Sequence, residues 1–252
     1  MKLLSLARDL QRRRARERHG LFVAEGLRAV EELLRSPLRL HGALAAPDLV
    51  DTARGLALRA ALDSRAIPVL DVTAADFTTA ASTAEPQGIL AVATIPRRTP
   101  QNLVLPESAR LLVLDAVQDP GNAGTLVRTA AALGATATFA LPGTVDLWNS
   151  KVVRSAMGAL FHHPVFQCAW ETLDEFVRAH DIPLWAADRA GESCDGVSSP
   201  PSMALIVSNE GAGLSSDAAR RAVRRIGVPL APEIESLNVA VAAGILLHHF
   251  HA

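Results

Sequence analysis

Tyrosine is absent from this chain of 252 residues, and aromatic residues together make up 4% of it. So thin a supply of flat side chains argues against a base-stacking surface of the RRM type. Cysteine occurs twice, at Cys168 and Cys194, far apart and without metal-ligand spacing. That excludes a disulfide framework and leads us to expect a reducing, cytoplasmic setting and no metal. Long apolar runs are missing as well. The longest, Val239 to Leu247, is far short of a bilayer span, and Leu3-Leu4-Ser5-Leu6-Ala7 meets Arg8 too soon for a secretory signal. There is no internal repeat, and no G-x-G-x-x-G follows a strand pattern, so a Rossmann dinucleotide site is poorly supported. The net charge is −1, which denies the molecule as a whole any pull on RNA.

What is present is ordinary in bulk and uneven in detail. Apolar residues are 49% and charged residues 20% of the chain, as in soluble globular proteins, and the length suits one large domain or two small ones. Within residues 1–20, however, Lys2, Arg8, Arg12, Arg13, Arg14, Arg16 and Arg18 face only Asp9 and Glu17. A basic arm on an acidic body is either a nucleic-acid contact or a solvated helix end. The Pro- and Arg-rich stretch Pro96 to Ser108 reads as a linker, dividing the chain into 1–98, a connection at 99–106, and 107–252.

Both parts alternate strand and helix patterns. In the first, strands are expected at 21–23, 38–45, 67–70 and 89–93, with helices at 25–35, 48–63 and 73–80. In the second, strands are expected at 111–117, 137–141, 164–167, 183–187, 203–208 and 226–230. Helices are expected there at 123–133, 150–160, 171–180, 215–222 and 237–250. Such alternation implies a mostly parallel sheet covered on both faces, and chain physics alone predicts an unknotted one.

Three segments carry chemistry. Leu111 to Leu114 is an apolar strand that runs through Asp119-Pro120-Gly121 into a helix opening at Asn122 and carrying Arg128. Asn122 has the chemistry of a helix N-cap. Arg128 stands where open α/β sheets build sites and is suited to a phosphate or oxyanion, the alternative being a pair with Asp119. The second segment is Ala204 to Val207 followed by Ser208-Asn209-Glu210-Gly211-Ala212-Gly213. The third is Ile226 to Leu230 followed by Ser236-Leu237-Asn238, in which Ser236 reads as the cap and Asn238 as lying one turn inside the last helix.

In residue type, order and spacing these three segments resemble the signature of the SpoU (TrmH-like) ribose methyltransferases of the SPOUT class. Gly20 to Gly26 more weakly resembles the start of the L30e-like substrate-binding domain often fused to them. The resemblance implies an α/β fold with a C-terminal trefoil knot, a mostly parallel sheet and a smaller L30e-like N-terminal domain. It also implies S-adenosylmethionine as cofactor, a homodimer, and methyl transfer to a ribose 2′-OH. Ribosomal RNA is the first expected substrate; transfer RNA and a silent RNA-binding protein on the same fold are the rivals.

Carried onto this chain, the family pattern makes Asn122, Arg128, Glu210, Ser236 and Asn238 the catalytic set. Ser208, Asn209, Glu210, Gly211, Val228, Pro229, Leu230, Ser236, Leu237 and Asn238 would hold the cofactor. RNA contacts are expected at Arg12, Arg13, Arg14, Arg16, Arg128 and Arg154, with a solvated basic face as the competing view of Arg154. Two departures stand out: Ser208 replaces a common glycine, and Pro232-Glu233-Ile234 replaces a stretch that often contains one.

Overall fold

Two sheets, each with its own core, organise the chain. The computed structural model describes residues 3–209 and 211–251. One unit runs to Arg97 and takes in Asp146–His162; the other comprises Arg98–Val145 and resumes at His163.

The first unit contains helices α1 (Leu3–Asp9) and α2 (Arg13–His19), then β1 (Leu21–Glu25), α3 (Leu27–Arg35), β2 (Leu40–Ala45), α4 (Ala53–Ser64), β3 (Val69–Asp71), α5 (Ala74–Ala80) and β4 (Ile89–Thr94). Its sheet has the order β1-β4-β2-β3, antiparallel except for the β2–β3 pair. Val30, Leu33 and Leu34 of α3 fall at helical spacing on one face, and all three are buried.

The second unit begins with β5 (Arg110–Asp115), α6 (Pro120–Ala132) and β6 (Ala137–Ala140). The chain then leaves it for one short helix, α7 (Ser150–Ser155), before returning through β7 (Val165–Gln167), α8 (Trp170–Ala179), β8 (Leu184–Ser193), β9 (Met203–Ser208), α9 (Ser216–Arg221), β10 (Arg224–Gly227) and α10 (Val239–His249). The six strands pair in the order β10-β8-β9-β5-β6-β7, all parallel. Every residue of β5 is buried, the mark of a central strand covered on both faces.

The excursion through α7 is the main departure from the linear division, which placed 146–162 with the second part. Its packing gives the reason. Trp148 and Phe161 stack against Phe22 of β1, with ring centroids 4.7 and 5.7 Å apart. Asp146 Oδ2 accepts from Arg16 Nη2 at 2.6 Å and Nε at 2.8 Å. The helix expected over 150–160 stops at Ser155. Met157 and Gly158 adopt φ of +51° and +93°, and a Cβ on Gly158 would stand 2.8 Å from Glu32 Cβ.

A second departure lies at β8, which continues to Ser193. Arg225 pairs with Ala186 while the next residue, Ile226, pairs with Glu192, so 187–191 leave the ladder. A Cβ on Gly191 would lie 2.5 Å from the Arg225 carbonyl carbon, so that close passage demands glycine. The strand expected over 226–230 is displaced to Arg224–Gly227, leaving Val228, Pro229 and Leu230 outside the ladder.

His163 gives the second unit a pH dependence. It is buried, its Nε2 lies 2.9 Å from the hydroxyl of buried Thr138, and burial, then the nearby Arg98 charge, push its pKa down to about 4. Below about pH 6.5 the unfolded chain takes a proton that the folded chain refuses, so stability falls as pH drops from 6.5 toward 4. The loss amounts to about 3 kcal/mol over that window. Chemical denaturation at stepped pH should show this slope in the wild type and lose it in His163→Gln; equal slopes would refute the assignment.

Candidate functional site

The C-terminal ends of β5, β9, β8 and β10 face the same way because the strands are parallel, and open α/β sheets bind ligands in the crevice outside those ends. A cavity of about 320 Å³ lies there, at the lower end of the roughly 300–1,000 Å³ usual for small-molecule sites. Its wall includes Ser208 and Asn209 at the end of β9, Val228 and Leu230 after β10, and Ser236 and Leu237 before α10. The turn at the end of β9 and the loop between β10 and α10, both parts of the expected cofactor set, therefore meet at one cleft. Pro229 lines the adjoining cavity with Val228 and Leu230, and neither Gly211 nor Asn238 is part of the main wall. Glu210, in both the catalytic and cofactor sets, lies outside the described residues.

Two caps differ from expectation. Asp119, not Asn122, caps α6: its Oδ1 accepts from the Asn122 amide at 2.7 Å, and Pro120 sits at the first helical position, where no amide donor is needed. Asn122 is thus inside the first turn. Asn238, expected one turn inside α10, is itself the cap. Its Oδ1 accepts from the amides of Ala240 at 2.9 Å and Val241 at 3.4 Å, while Ser236 stays exposed ahead of the helix. Capping fixes the orientation of the Asn238 amide, and its Nδ2 donates to Asn122 Oδ1 at 2.9 Å. The N-termini of α6 and α10 are joined there by two catalytic-set asparagines.

Arg128 is exposed on α6, and among the described residues it makes no ion pair. Asp119 is engaged as a cap, so the expected alternative of an Asp119–Arg128 pair is not what the structure contains.

Sequence reasoning missed two contributors. Asp115, the last residue of β5, is 2% exposed, and its Oδ2 accepts from both the Ser208 hydroxyl and the Ser215 amide at 3.0 Å. It ties both ends of the 208–215 loop to β5. Next to it, Ala116 at φ +55° turns its carbonyl to Asn209 Nδ2 at 3.3 Å, while Asn209 Oδ1 accepts from the amides of Gly211 and Ala212. The signal was legible: a lone acid ends an apolar strand. It also accounts for Ser208, whose hydroxyl is used where a glycine would offer none. The second contributor, Asp188 and Arg189 in the looped-out part of β8, lines the cavity and carried no sequence pattern.

Loss of the Asp115 carboxylate should free the loop. Asp115→Ala is expected to weaken S-adenosylhomocysteine binding at least tenfold, since tenfold is about 1.4 kcal/mol and one hydrogen bond to a charged group is worth about 1.5–3 kcal/mol. Calorimetric titration of both proteins measures it, and an unchanged Kd would show that the loop holds its shape without Asp115.

The expected RNA contacts separate. Arg12 and Arg13 are exposed and paired locally with Asp9 and Glu17, Arg14 is exposed, and Arg154 is exposed at the end of α7. Arg16 differs from the expectation. Its side chain is 5% exposed, and besides Asp146 it serves the carbonyls of Leu10 and Gln11, so it is committed inside the first unit. The cysteines are poor nucleophiles: burial raises the Cys168 pKa to about 11, and burial followed by Asp195 raises that of Cys194.

Comparison with known proteins agrees with this geometry. The SpoU rRNA Methylase family model matches residues 109–248, and the MRM3-like substrate binding domain model matches 5–91. The chain is 34% identical over 243 residues, 96% of itself and 93% of the relative, to the 23S rRNA (guanosine(2553)-2′-O)-methyltransferase RlmP of Bacillus subtilis. The crystal structure of AdoMet-bound rRNA methyltransferase from Sinorhizobium meliloti superposes with a TM-score of 0.85 at 27% identity, covering 98% of this chain and 93% of that one. The SpoU methyltransferase AviRb from Streptomyces viridochromogenes, solved with AdoMet, reaches 0.87 at 22% identity over 99% and 96% of the two chains, a likeness of fold. The strand-end cleft and the extent of the family match lead to one conclusion: this chain belongs to the SpoU rRNA methylase family.

Proposed function

We propose that this protein transfers a methyl group from S-adenosylmethionine to a ribose 2′-OH of ribosomal RNA. The observation that carries the reading is the meeting of the loop after β9 and the loop between β10 and α10 at one cavity beside the Asn122–Asn238 hydrogen bond. The cofactor fits this site: apolar Val207, Leu230 and Leu237 suit a flat heterocycle, and Ser208, Asn209 and Ser236 on the same wall suit its polar ends. When bound, it supplies an electrophilic methyl on a sulfonium.

The protein must then orient a weak nucleophile and handle its proton. Arg128 suits orientation of the ribose or its phosphate and stabilisation of the developing negative charge. A guanidinium stays protonated at physiological pH, so it is not the base. Asn122 and Asn238 brace the helix ends that frame the site, and Ser208, Asn209 and Gly211 shape the cofactor loop. Glu210 remains in the proposed set by family pattern.

In this reading residues 1–98, joined by the 146–162 segment, select the RNA, with Arg12, Arg13, Arg14 and Arg154 as phosphate contacts, and the rest of 107–252 performs the transfer, with no metal taking part. A cytoplasmic homodimer is part of the proposal. Val241 and Ile245, 51% and 40% exposed one turn apart on α10, give a second copy an apolar stripe to cover. A trefoil knot is likewise proposed from the family pattern. No helix among the described residues is long and apolar enough to cross a membrane.

The test has two stages. Titration with S-adenosylhomocysteine should give saturable binding, and radiolabelled S-adenosylmethionine should then label 23S ribosomal RNA, either bare or within particles, on a ribose 2′-oxygen. Binding without labelling of any RNA would favour a silent binding protein, and labelling of transfer RNA alone would overturn the choice of substrate.

A further inference from the structure

The two cysteines show no metal-ligand spacing in sequence, yet one of them acquires partners through the fold. Cys194 and Asp195 open the short 3-10 turn Cys194–Gly196 that follows β8, and His249 lies in the last turn of α10. One donor atom from each side chain lies within 4.8 Å of the other two, and this is the one such trio among the described residues. The Cys194 Sγ to Asp195 Oδ1 distance is 3.8 Å. Tetrahedral zinc, with bonds of about 2.3 Å to sulfur and about 2.0 Å to nitrogen and oxygen, holds such donors roughly 3.3–3.5 Å apart. Reaching that spacing takes a closure of at most about 1.5 Å, and the movement falls on the movable members: Asp195 and His249 are exposed, whereas Cys194 is 2% exposed and fixed.

The backbone that presents these donors is tied together independently of them. Buried Arg110 donates from Nε to the Phe250 carbonyl at 2.6 Å and from Nη2 to the Ser199 hydroxyl at 2.7 Å. The end of α10 and the chain after the 194–196 turn therefore share one anchor, and a metal would find its donors already assembled.

We propose that Cys194, Asp195 and His249 form a binding site for a divalent transition metal of the zinc type, with solvent in the fourth position. Magnesium and calcium prefer all-oxygen sets, and thiolate with imidazole selects zinc and its neighbours. On binding, the Cys194 S–H bond breaks, its proton passes to solvent and a metal–sulfur bond forms, with no change of oxidation state. The bound ion clamps the C-terminal end of α10 to the turn after β8, and Asn238 at the other end of α10 carries the contact to Asn122.

Cobalt(II) titration of the purified full chain tests this. One equivalent should produce a thiolate-to-cobalt charge-transfer band that zinc abolishes. Cys194→Ser should lose the band, and His249→Gln should weaken binding at least tenfold. His249 is exposed, so its substitution keeps the test valid even where replacing buried Cys194 disturbs folding. Zinc should also raise the melting midpoint of the wild type and not of His249→Gln. Cobalt bound without the band, or with equal affinity in wild type and His249→Gln, would overturn the proposal and place the ion on the exposed His248 and His251.

Discussion

Arg128→Ala is expected to lower the rate of methyl transfer by about 10²–10³ while leaving S-adenosylhomocysteine affinity within about twofold; the rate figure is that for loss of one preorganised stabiliser of developing anionic charge. The two halves of the expectation come from different parts of the structure. Arg128 projects from α6 into solvent and is absent from the wall of the strand-end cavity, so its removal takes nothing from that pocket. Among the described residues no carboxylate engages it, which leaves the guanidinium available to an RNA phosphate or a forming alkoxide. Single-turnover transfer at saturating cofactor isolates the chemical step. Arg128→Lys should recover only part of the rate, because an ammonium keeps the charge and loses the bidentate fork. Wild-type turnover in Arg128→Ala would remove Arg128 from the reaction. A parallel loss of cofactor affinity would instead make it a residue that shapes the pocket.

Arg16→Ala should act on stability. Its guanidinium donates twice to Asp146 and to the carbonyls of Leu10 and Gln11, and both members of the ion pair are almost wholly withdrawn from water, at 5% and 11% exposure. Removing one partner of a buried pair strands the other charge, at a cost of about 3–5 kcal/mol. In a chain of this size the melting midpoint should fall by on the order of 10 °C. Asp146 begins the 146–162 segment, so the same change should expose Trp148 and raise protease sensitivity there. Replacing both partners with apolar residues of similar volume, as in Arg16→Met with Asp146→Leu, should restore most of the loss, since desolvation of the pair offsets much of its attraction. Arg14→Ala, at an exposed site, should leave the midpoint unchanged. If Arg16→Ala melted like the wild type and only RNA affinity dropped, Arg16 would return to the RNA-contact set.

The alternation of strands and helices was legible because side-chain periodicity is local. Residues two apart share a strand face and residues three or four apart a helix face, and burial imposes that pattern on the sequence. Hence β5, β9 and α8 fall almost where the pattern puts them. The cap assignments failed for a related reason. Asp119 and Asn122, like Ser236 and Asn238, are all good capping residues, and only the path of the incoming backbone decides which side chain reaches the free amides.

By itself, the sequence determined the family, the parallel α/β class and the three strand-to-helix segments of the family signature, because these reside in short contiguous runs of fixed residue type. The tertiary structure alone decided the rest. It withdrew Arg16 from the RNA-contact set, moved 146–162 to the first unit, enlisted Asp115 as the anchor of the 208–215 loop, and brought Cys194 to His249. Each of these depends on a partner many residues away. Whether a charge meets solvent or a buried counter-charge is a property of the folded packing, and the local periodicity of the chain carries no record of it.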